Sequence, residues 1–451
     1  MGAERAVTVA PVCPDVTHVV TAFVRHGGEL LLVRRGGRPR HCGAGRQSEV
    51  DRWDGVSRCV DTLPDDPVAT ARGALDRLVG IEDATHVVSG DSFVVSVDDC
   101  RWTILPLLFE IPSRELDVVD EIEATTWVPA PELRDRPTVP GLREAYRRVG
   151  PTVETVTTDT THGSAWLSAR ALEVLRDLAC VSDSWEPVVA AARQLRAGQP
   201  DMAAVSNRVD RAMARAVDAE GAATSPPAWD PVAVVDPIQR TLRETLQADE
   251  RAATQSATLL AERFGPDPVV ATLSRSGTAS DALQRAQPRV LVGESRPACE
   301  GAAVATTLAG RGLDVTLTTD AALPWALAGE ADGPRPDLVL VGADAVLPDG
   351  TIVNKVGTRS LGLAASRADV PLYVVAARDK IATAERHPTA RSDPEPLAPG
   401  SGVETWTPTF DRTPPDCVTG IVVEDGIVKP GDVAGIAHRH RRHATWGDAF
   451  D

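Results

Sequence analysis

The fold is decided by the stretch VGADAVLPDGTIVNKVGTRSLGLAA, residues 341–365. It continues the apolar run DLVLV (337–341), which is typical of a buried strand, and Asp344 follows that strand directly. After a D-G turn, the pair Asn354 and Lys355 precedes the start of a predicted helix. The pattern places a carboxylate, an amide and a lysine beyond a strand's carboxyl end, where ligands bind in open α/β sheets.

These residues predict an anion site. Asp344 can act as an acid or base on a bound sugar. Lys355 and the backbone amides near Gly357 and Thr358 can hold a phosphate. A second phosphate cradle is expected at the helix start formed by Ser276, Gly277 and Thr278, although such a start is also typical of a plain helix cap.

Three further regions surround this stretch. Residues 266–437 alternate short apolar strands with helical segments, which predicts a Rossmann-like parallel sheet covered on both faces, hence an α/β fold. Residues 151–265 show apolar positions at helical spacing, as in SAWLSARALEVLRDLA, and predict a helical subdomain. The last segment, 438–451, contains HRHRRH and is expected to be a flexible tail rather than a metal site.

Residues 15–150 are predicted to form a separate α+β domain. The segment HVVTAFVRHGGELLLVRR (18–35) indicates two strands around a Gly-Gly turn. DPVATARGALDRLVG (66–80) has the spacing of a helix with one apolar face. RWTILPLLFEI (101–111) indicates another strand, and ATTWVPAPELRD (124–135) a strand that runs into a turn.

The composition narrows the classes of partner. The net charge is −17, and only Lys355, Lys380 and Lys429 are lysines. An acidic, lysine-poor chain is typical of a protein working in concentrated salt, as in haloarchaea, and argues against direct nucleic-acid binding. The sequence has no long apolar run and no signal core, so we expect a cytoplasmic protein without a membrane partner. The seven scattered cysteines predict free thiols.

Four ordered motifs resemble the translation initiation factor 2B alpha/beta/delta family, which includes ribose-1,5-bisphosphate and 5-methylthioribose-1-phosphate isomerases. The motifs lie in residues 271–283, 290–322, 341–365 and 373–380. The resemblance implies a Rossmann-like domain behind a helical subdomain, a homodimer or higher oligomer, and a phosphorylated small-molecule ligand. By match to the family, Asp344 is the catalytic aspartate, and the ligand-binding set is Arg296, Asn354, Lys355 and Lys380 with the Ser276–Thr278 helix start.

One position departs from the family's isomerases. They carry a catalytic cysteine in a pattern like THCHS, whereas this sequence reads TLSRS and places Ser274 there. A hydroxyl is a far weaker acid than a thiol and cannot readily deliver the proton that opens a furanose ring. Cys299 is the nearest alternative thiol and is expected to be buried packing. The THGSAWL segment (161–167) stands where the isomerases have an arginine-glycine loop, with His162 instead.

The first domain resembles a Nudix hydrolase. The layout of residues 53–81 is similar to the Nudix box, whose glutamates bind magnesium. Asp65 and Gly80 fall at matching positions, and Asp76 is a further carboxylate on the helix. The metal-binding positions themselves hold Ala74, Arg77 and Leu78. The resemblance implies a retained scaffold without its catalytic set, with no certain cofactor and magnesium only if this domain is active.

Three functions are compatible with these residues. The first is a regulatory or sensor protein of the initiation factor 2B family that binds a sugar phosphate or nucleotide. The second is a sugar-phosphate isomerase of the ribose-1,5-bisphosphate type, which retains Asp344 and has rearranged its proton donor. The third is a divergent Nudix hydrolase of a nucleoside diphosphate derivative that uses Asp65 or Asp76. The missing cysteine favours the first.

Overall fold

The computed structural model describes residues 17–36, 51–97, 100–159, 161–217, 227–329, 333–384 and 402–451. The chain forms two compact units, residues 1–151 and 152–451. Within the described ranges, no helix combines the length and apolar character that crossing a bilayer requires.

The first unit is a mixed sheet with two helices. Its described strands pair in the order β3-β2-β1-β7-β5, with β4 on β1, β6 on β7 and β8 on β2; the β1–β7 pair is parallel and the other named strand pairs are antiparallel. The elements are β1 (Thr17–His26), β2 (Glu29–Arg35), β3 (Trp53–Asp54), β4 (Val56–Val60), α1 (Pro67–Val79), β5 (Thr85–Ser89), β6 (Phe93–Val97), β7 (Cys100–Glu110), β8 (Ile122–Pro129) and α2 (Leu142–Arg147).

The hairpin and the helix that the sequence predicts for this unit are present in the structure. Strands β1 and β2 make a hairpin, and both turn glycines have positive φ (57° at Gly27, 78° at Gly28), a conformation that costs glycine little. Helix α1 begins after Asp66, whose side chain accepts the Ala69 N–H at 2.9 Å, and ends at Gly80 in the left-handed region.

The second unit begins with helices and continues as an alternating α/β domain. The helical part consists of α3 (Val153–Thr158), α4 (Ser164–Val181), α5 (Trp185–Gly198), α6 (Ala203–Ala216) and α7 (Pro231–Phe264). The following elements are β9 (Val269–Thr272), α8 (Gly277–Ala286), β10 (Arg289–Gly293), α9 (Glu300–Gly310), β11 (Val315–Thr318), α10 (Ala322–Ala328), β12 (Leu338–Val341), β13 (Ala345–Val346), β14 (Ile352–Lys355), α11 (Thr358–Arg367), β15 (Leu372–Val375), β16 (Phe410–Thr413), β17 (Gly420–Val423), β18 (Gly426–Val428) and α12 (Ala434–His443).

The main sheet of this unit has the order β11-β10-β9-β12-β15-β17-β18, and it is parallel except for the final β17–β18 hairpin. Neighbouring strand residues face opposite sides: Val270 packs with α7, α8 and α9, whereas Ala271 packs with α10, α11 and α12. Both faces are therefore covered, which explains the continuous apolar strands. The predicted α/β class with a parallel sheet is confirmed.

The carboxyl-terminal segment is not a flexible tail, and that prediction was wrong. Residues Ala434–His443 form α12, and a 3-10 helix follows over Ala444–Phe450. Trp446 is completely buried in the core of the helical subdomain, and its Nε1 donates to Asp210 Oδ1 at 2.7 Å. His440 is also buried, with Nε2 3.1 Å from the Arg378 carbonyl oxygen. The burial of one large indole holds this segment in place, although its many charged residues had suggested that it is exposed to solvent.

We expect Trp446→Phe to lower the free energy of unfolding by about 1–3 kcal/mol, because the buried Asp210 carboxyl loses a donor. Burial already raises the pKa of Asp210 to about 6, against the opposing effects of Arg196 and of this hydrogen bond. Denaturant unfolding measures the change, and Trp325→Phe at a half-exposed tryptophan is the control. Equal losses in the two variants would contradict the expectation.

The cysteines are not all free thiols. Cys180, Cys299 and Cys417 form no disulfide, but Cys59 is disulfide-bonded. The prediction of free thiols throughout was therefore wrong at Cys59, since sequence spacing does not reveal which sulfur atoms the fold brings together.

Candidate functional site

The parallel sheet has a topological switch point between β9 and β12. From this pair of central strands the chain winds outward in both directions, to β10 and β11 on one side and to β15 and β17 on the other. Ser274 follows β9, and Asp344 follows β12. Both residues thus lie beyond the carboxyl ends of the two strands where ligands of such sheets bind.

Asp344 is the central acid of the candidate site. Burial raises the pKa of its carboxyl, Glu300 raises it further, and Lys380 and Lys355 oppose the rise. Its backbone N–H donates to the Val353 carbonyl oxygen at 2.9 Å. No described side chain hydrogen-bonds to the carboxylate itself, so its oxygen atoms can accept a proton from a bound molecule.

Lys355 lies beside this acid but is paired with another. Its Nζ is 2.7 Å from Glu300 Oε1, and both side chains are about nine-tenths buried. Strand β14 holds the lysine in register opposite Phe410 of β16, and the ammonium group lies 6.0 Å from the phenyl centroid. The lysine is positioned at the site, and an anionic ligand has to share it with Glu300.

The side-chain amide of Asn354 is bonded within its own turn and is not directed at a ligand beside Asp344 and Lys355. Its Nδ2 donates to Thr358 Oγ1 at 3.0 Å, and that hydroxyl donates to the Lys355 carbonyl oxygen at 2.6 Å. Asn354 and Thr358 are both buried. The asparagine therefore stabilises the turn that leads into α11, and the structure does not support its predicted contact with a ligand.

The predicted phosphate cradle at the start of α11 is already filled by a side chain. Asp411 Oδ2 accepts the Gly357 N–H at 2.7 Å and the Arg359 N–H at 3.0 Å. Burial raises the pKa of Asp411, while these amides and Arg359 lower it. A carboxylate at a helix amino terminus satisfies the amides that a phosphate would otherwise take, so this part of the prediction was wrong.

Ser274 is held in an unusual conformation beside Glu300. Its φ is 73°, its N–H donates to Ser295 Oγ at 2.7 Å, and its Oγ donates to Glu300 Oε1 at 3.3 Å. Gly301 lets α9 approach this closely, because a Cβ there would lie 1.8 Å from the Gly293 carbonyl oxygen. Glu300 thus connects Ser274 with Lys355. The sequence analysis did not single out Glu300, although it lies within the 290–322 motif that resembles the family.

Arg296 and Cys299 lie on an exposed turn. The Arg296 N–H donates to Asp320 Oδ2 at 2.6 Å, and its Nη1 donates to Cys299 Sγ at 3.4 Å. Cys299 is partly exposed at the amino-terminal cap of α9, with φ 56°. The expectation of a buried packing thiol was wrong.

The helix start at Ser276 is a cap that packs tightly on the sheet. Ser276 Oγ accepts the Ala279 N–H at 3.3 Å, and Thr278 is buried. A Cβ on Gly342 would lie 2.4 Å from Ser276 Oγ, so Gly342 brings the start of α8 next to the end of β12. The start of α8, with Gly277 exposed as its first residue, lies close to Asp344.

Lys380 is the second cation at the site. Its Nζ donates to the Ala343 carbonyl oxygen at 2.7 Å, and the side chain is buried. Burial lowers its pKa, which the nearby Asp344 and Asp249 counteract. The ammonium group is therefore directed at the residue before Asp344.

A buried ion network fixes the position of Lys380. Asp379 Oδ2 accepts from Arg208 Nε at 3.0 Å and from Arg211 Nη2 at 3.0 Å, while Arg208 Nη2 binds both oxygens of Asp249 at 3.0 Å. Asn207 Nδ2 donates to the Asp379 carbonyl oxygen at 2.7 Å. These contacts join α6 and α7 to the turn after β15, so the helical subdomain supports one edge of the site.

Asp201 is a second acid that sequence reasoning missed. It precedes α6, whose first residue, Ala203, packs with Ala345. Burial raises the pKa of Asp201, and the charge of Asp344 raises it further. A carboxyl whose pKa is raised by burial and by a neighbouring carboxylate is typical of proton-transfer sites. No local pattern around Asp201 signals this, because the contact spans more than a hundred positions of sequence.

The first unit does not offer a magnesium set at the predicted positions. Asp65 and Asp76 are exposed, whereas Ala74 and Leu78 lie on the buried face of α1. In the described part of the chain, no three His, Cys, Asp or Glu residues are grouped so as to hold a metal ion. An alanine and a leucine cannot ligate a hard cation, so the residues present do not fit magnesium.

The fold and the site define a class: a helical subdomain joined to a Rossmann-like domain with acids and lysines at the switch point. The sequence profile of the initiation factor 2 subunit family matches residues 160–430, and the chain belongs to this family.

Relatives and a solved structure agree with this assignment. The chain is 39% identical over 155 residues to a methylthioribose-1-phosphate isomerase of Pelotomaculum thermopropionicum, covering 31% of this chain and 41% of that protein. It is 30% identical over 263 residues to the protein of that name from Desulforudis audaxviator, covering 52% and 72%. The structure of Pyrococcus horikoshii translation initiation factor eIF-2B superposes with a TM-score of 0.52 at 24% identity, over 62% of this chain and 95% of that one. The chain thus spans about two fifths of the first relative.

Proposed function

We propose that the chain is an aldose–ketose isomerase of a phosphorylated ribose, in which Asp344 moves the substrate proton. The observation that carries this proposal is the raised pKa of the Asp344 carboxyl at the switch point. No described side chain hydrogen-bonds to this carboxyl, and the charges of two lysines act on it. A carboxyl of raised pKa can take a proton from one carbon and return it to the next. The names of the isomerase relatives support the same reaction class.

The lysines supply the affinity for phosphate. Lys355 and Lys380 are the cations whose charges lower the pKa of Asp344, and both are buried. A buried ammonium group interacts strongly with a phosphate because little water screens it. The anionic end of the substrate is therefore expected beside these lysines, with its reacting carbons at Asp344.

The test is ketose formation by the purified full chain. Ribose-1,5-bisphosphate and 5-methylthioribose-1-phosphate are incubated separately in low salt and in molar potassium chloride, since the acidic composition predicts a salt requirement. NMR of the products detects the ketose. Formation of either ketose supports the proposal, and its absence from all four mixtures rejects it.

Replacing Ser274 by cysteine is expected to raise kcat by about 10², because it supplies a thiol at the family's position for a proton donor. The same assay measures it. Ser280→Cys, in the first turn of α8, is the matched control and should leave the rate unchanged. An unchanged rate in Ser274→Cys would show that the hydroxyl does not limit turnover.

A second candidate is a sensor that binds a sugar phosphate or nucleotide without turnover. The observation that favours it is Ser274, whose hydroxyl donates to Glu300 and lacks a thiol's acidity. A sensor predicts thermal stabilisation by one of these ligands in mixtures that form no ketose.

We also propose, from the family resemblance, a cytoplasmic homodimer or higher oligomer and a Nudix-like scaffold for the first unit. Light scattering measures the mass of the assembly. Magnesium-dependent cleavage of a nucleoside diphosphate derivative, lost on mutation of Asp65 or Asp76, would instead support the Nudix hydrolase alternative.

A further inference from the structure

The loop before α4 carries a histidine–aspartate pair that the steps above do not use. His162 Nδ1 lies 2.7 Å from Asp159 Oδ2. Asp159 Oδ1 accepts the backbone N–H groups of Thr161 at 2.7 Å and of His162 at 2.8 Å. The imidazole stacks on the indole of Trp166, with ring centroids 3.8 Å apart and planes 14° apart. The ring is thus fixed in position and in rotation.

The second ring nitrogen remains open. The His162 side chain is 44% exposed, whereas that of Asp159 is 15% exposed. Because Nδ1 donates its hydrogen to the carboxylate, Nε2 is the nitrogen left for a ligand. No described residue hydrogen-bonds to Nε2. An oriented imidazole with one open nitrogen is the arrangement of a general acid or base.

This loop is tied to the candidate site. Arg275 Nη2 donates to the Thr161 carbonyl oxygen, and Arg275 directly follows Ser274. Helix α4, which begins after the loop, is held from the other side, because Arg208 Nη1 donates to Ser168 Oγ at 2.8 Å while its Nε binds Asp379. The same network positions Lys380. The residue before His162 is thus linked by a hydrogen bond to the residue after Ser274, the position where the family's isomerases have their thiol.

We propose that His162, oriented by Asp159, is the acid that replaces the missing thiol in the isomerisation. This inference rests on the proposed function. For a 1-phosphorylated ribofuranose, Nε2–H of the imidazolium gives its proton to the ring oxygen as the C1–O4 bond breaks. Asp344 takes the proton from C2, and the C1–C2 double bond forms. Asp344 then returns this proton to C1, and the 2-hydroxyl gives its proton back to His162, which leaves the 2-ketose and the starting enzyme.

The charges around His162 favour this role. Partial burial acts to raise the pKa of Asp159, but hydrogen bonds from the backbone and ring of His162 and from the Thr161 amide lower it overall. Asp159 thus stays a carboxylate and stabilises the imidazolium. Among the described residues, Arg275 binds the Thr161 carbonyl, and Arg170, which pairs with Glu173, lies 5.3 Å from the Trp166 ring. Asp159 acts as a positioning residue, since its carboxylate contacts only Thr161 and His162 among the described residues.

The test compares rate–pH profiles of the full chain on the two sugar phosphates. His162→Gln is expected to lower kcat by about 10²–10⁴ and to abolish the alkaline limb that reports loss of the imidazolium proton. Asp159→Asn is expected to reduce kcat less and to move that limb to lower pH. Added imidazole should restore part of the activity of His162→Ala. His86→Gln, at a partly exposed ring 3.0 Å from Ser89 Oγ, is the matched control.

The outcomes separate this inference from the function on which it rests. Turnover by the unaltered chain with an alkaline limb that survives in His162→Gln overturns the inference alone. A loss of kcat in His162→Ala that imidazole does not restore, with the limb unchanged in Asp159→Asn, also overturns it. No turnover by the unaltered chain removes the proposed function and this inference together. Thermal midpoints equal to that of the unaltered chain show that the variants are folded.

Discussion

Asp344→Asn is expected to lower kcat for ketose formation by about 10²–10⁴, the contribution of a positioned general base. The asparagine keeps the size of the side chain but cannot take a proton from C2. Because the amide leaves Lys355 and Lys380 in place, KM is expected to change little, and a sugar phosphate should still raise the melting temperature. Initial rates over a range of substrate concentrations separate the two parameters.

Asp349→Asn is the matched control for this prediction. Asp349 lies five positions further along, in the exposed turn where its Oδ1 accepts the Thr351 N–H at 2.8 Å. The Asp349→Asn substitution should leave kcat and KM unchanged. An Asp344→Asn enzyme as fast as the unaltered chain would remove Asp344 from the mechanism.

Asp379→Asn is expected to lower the free energy of unfolding by about 3–5 kcal/mol, because breaking a buried ion pair leaves uncompensated charge. The side chain is 2% exposed, and the guanidinium groups of Arg208 and Arg211 both bind it. Urea unfolding followed by circular dichroism measures the change. Asp425→Asn is the control, since that carboxylate pairs with Arg378 at the surface, where a salt bridge contributes about 0–1 kcal/mol. Similar losses in both variants would contradict the prediction.

The same carboxyl predicts a pH dependence of stability. Burial alone would raise the pKa of Asp379, but Arg211, Arg208 and His440 hold it below its ordinary value of 3.8. A lowered folded-state pKa contributes stability that is complete above the unfolded value and is lost as the pH falls below it. The difference in unfolding free energy between the unaltered chain and Asp379→Asn is therefore expected to shrink below a pH of about 4. A constant difference down to acid pH would contradict this.

The sequence predicted the elements well because their signals are local. The strand of residues 337–341, the helix cap at Ser276 and the Gly27–Gly28 turn each depend on residues a few positions apart. The partners of the site residues are distant: Asp411 is 54 positions from Gly357, and Asp379 is 171 from Arg208. No periodicity encodes such contacts, so the filled helix start and the ion network could not be predicted.

The composition of the carboxyl-terminal segment led to a wrong prediction, because one buried side chain determines its conformation. The charged letters HRHRRH suggested a solvated tail, but the burial of Trp446 decides the conformation of the segment. Glu300 and Asp201 gain their importance only from the side chains placed next to them. The predicted strand-end position of Asp344 was a local inference, and the acids around it are a product of the tertiary fold.

The carboxylate of Asp411 has a consequence for selectivity. It occupies the positive end of the α11 dipole, so the Gly357 and Arg359 amides are not available to a bound molecule. Recognition of the anion then depends on ammonium groups, which bind any compact anion of suitable charge and impose little angular preference. If the proposed isomerase function holds, we therefore expect discrimination among sugar phosphates to come from the hydroxyl-bearing part of the molecule.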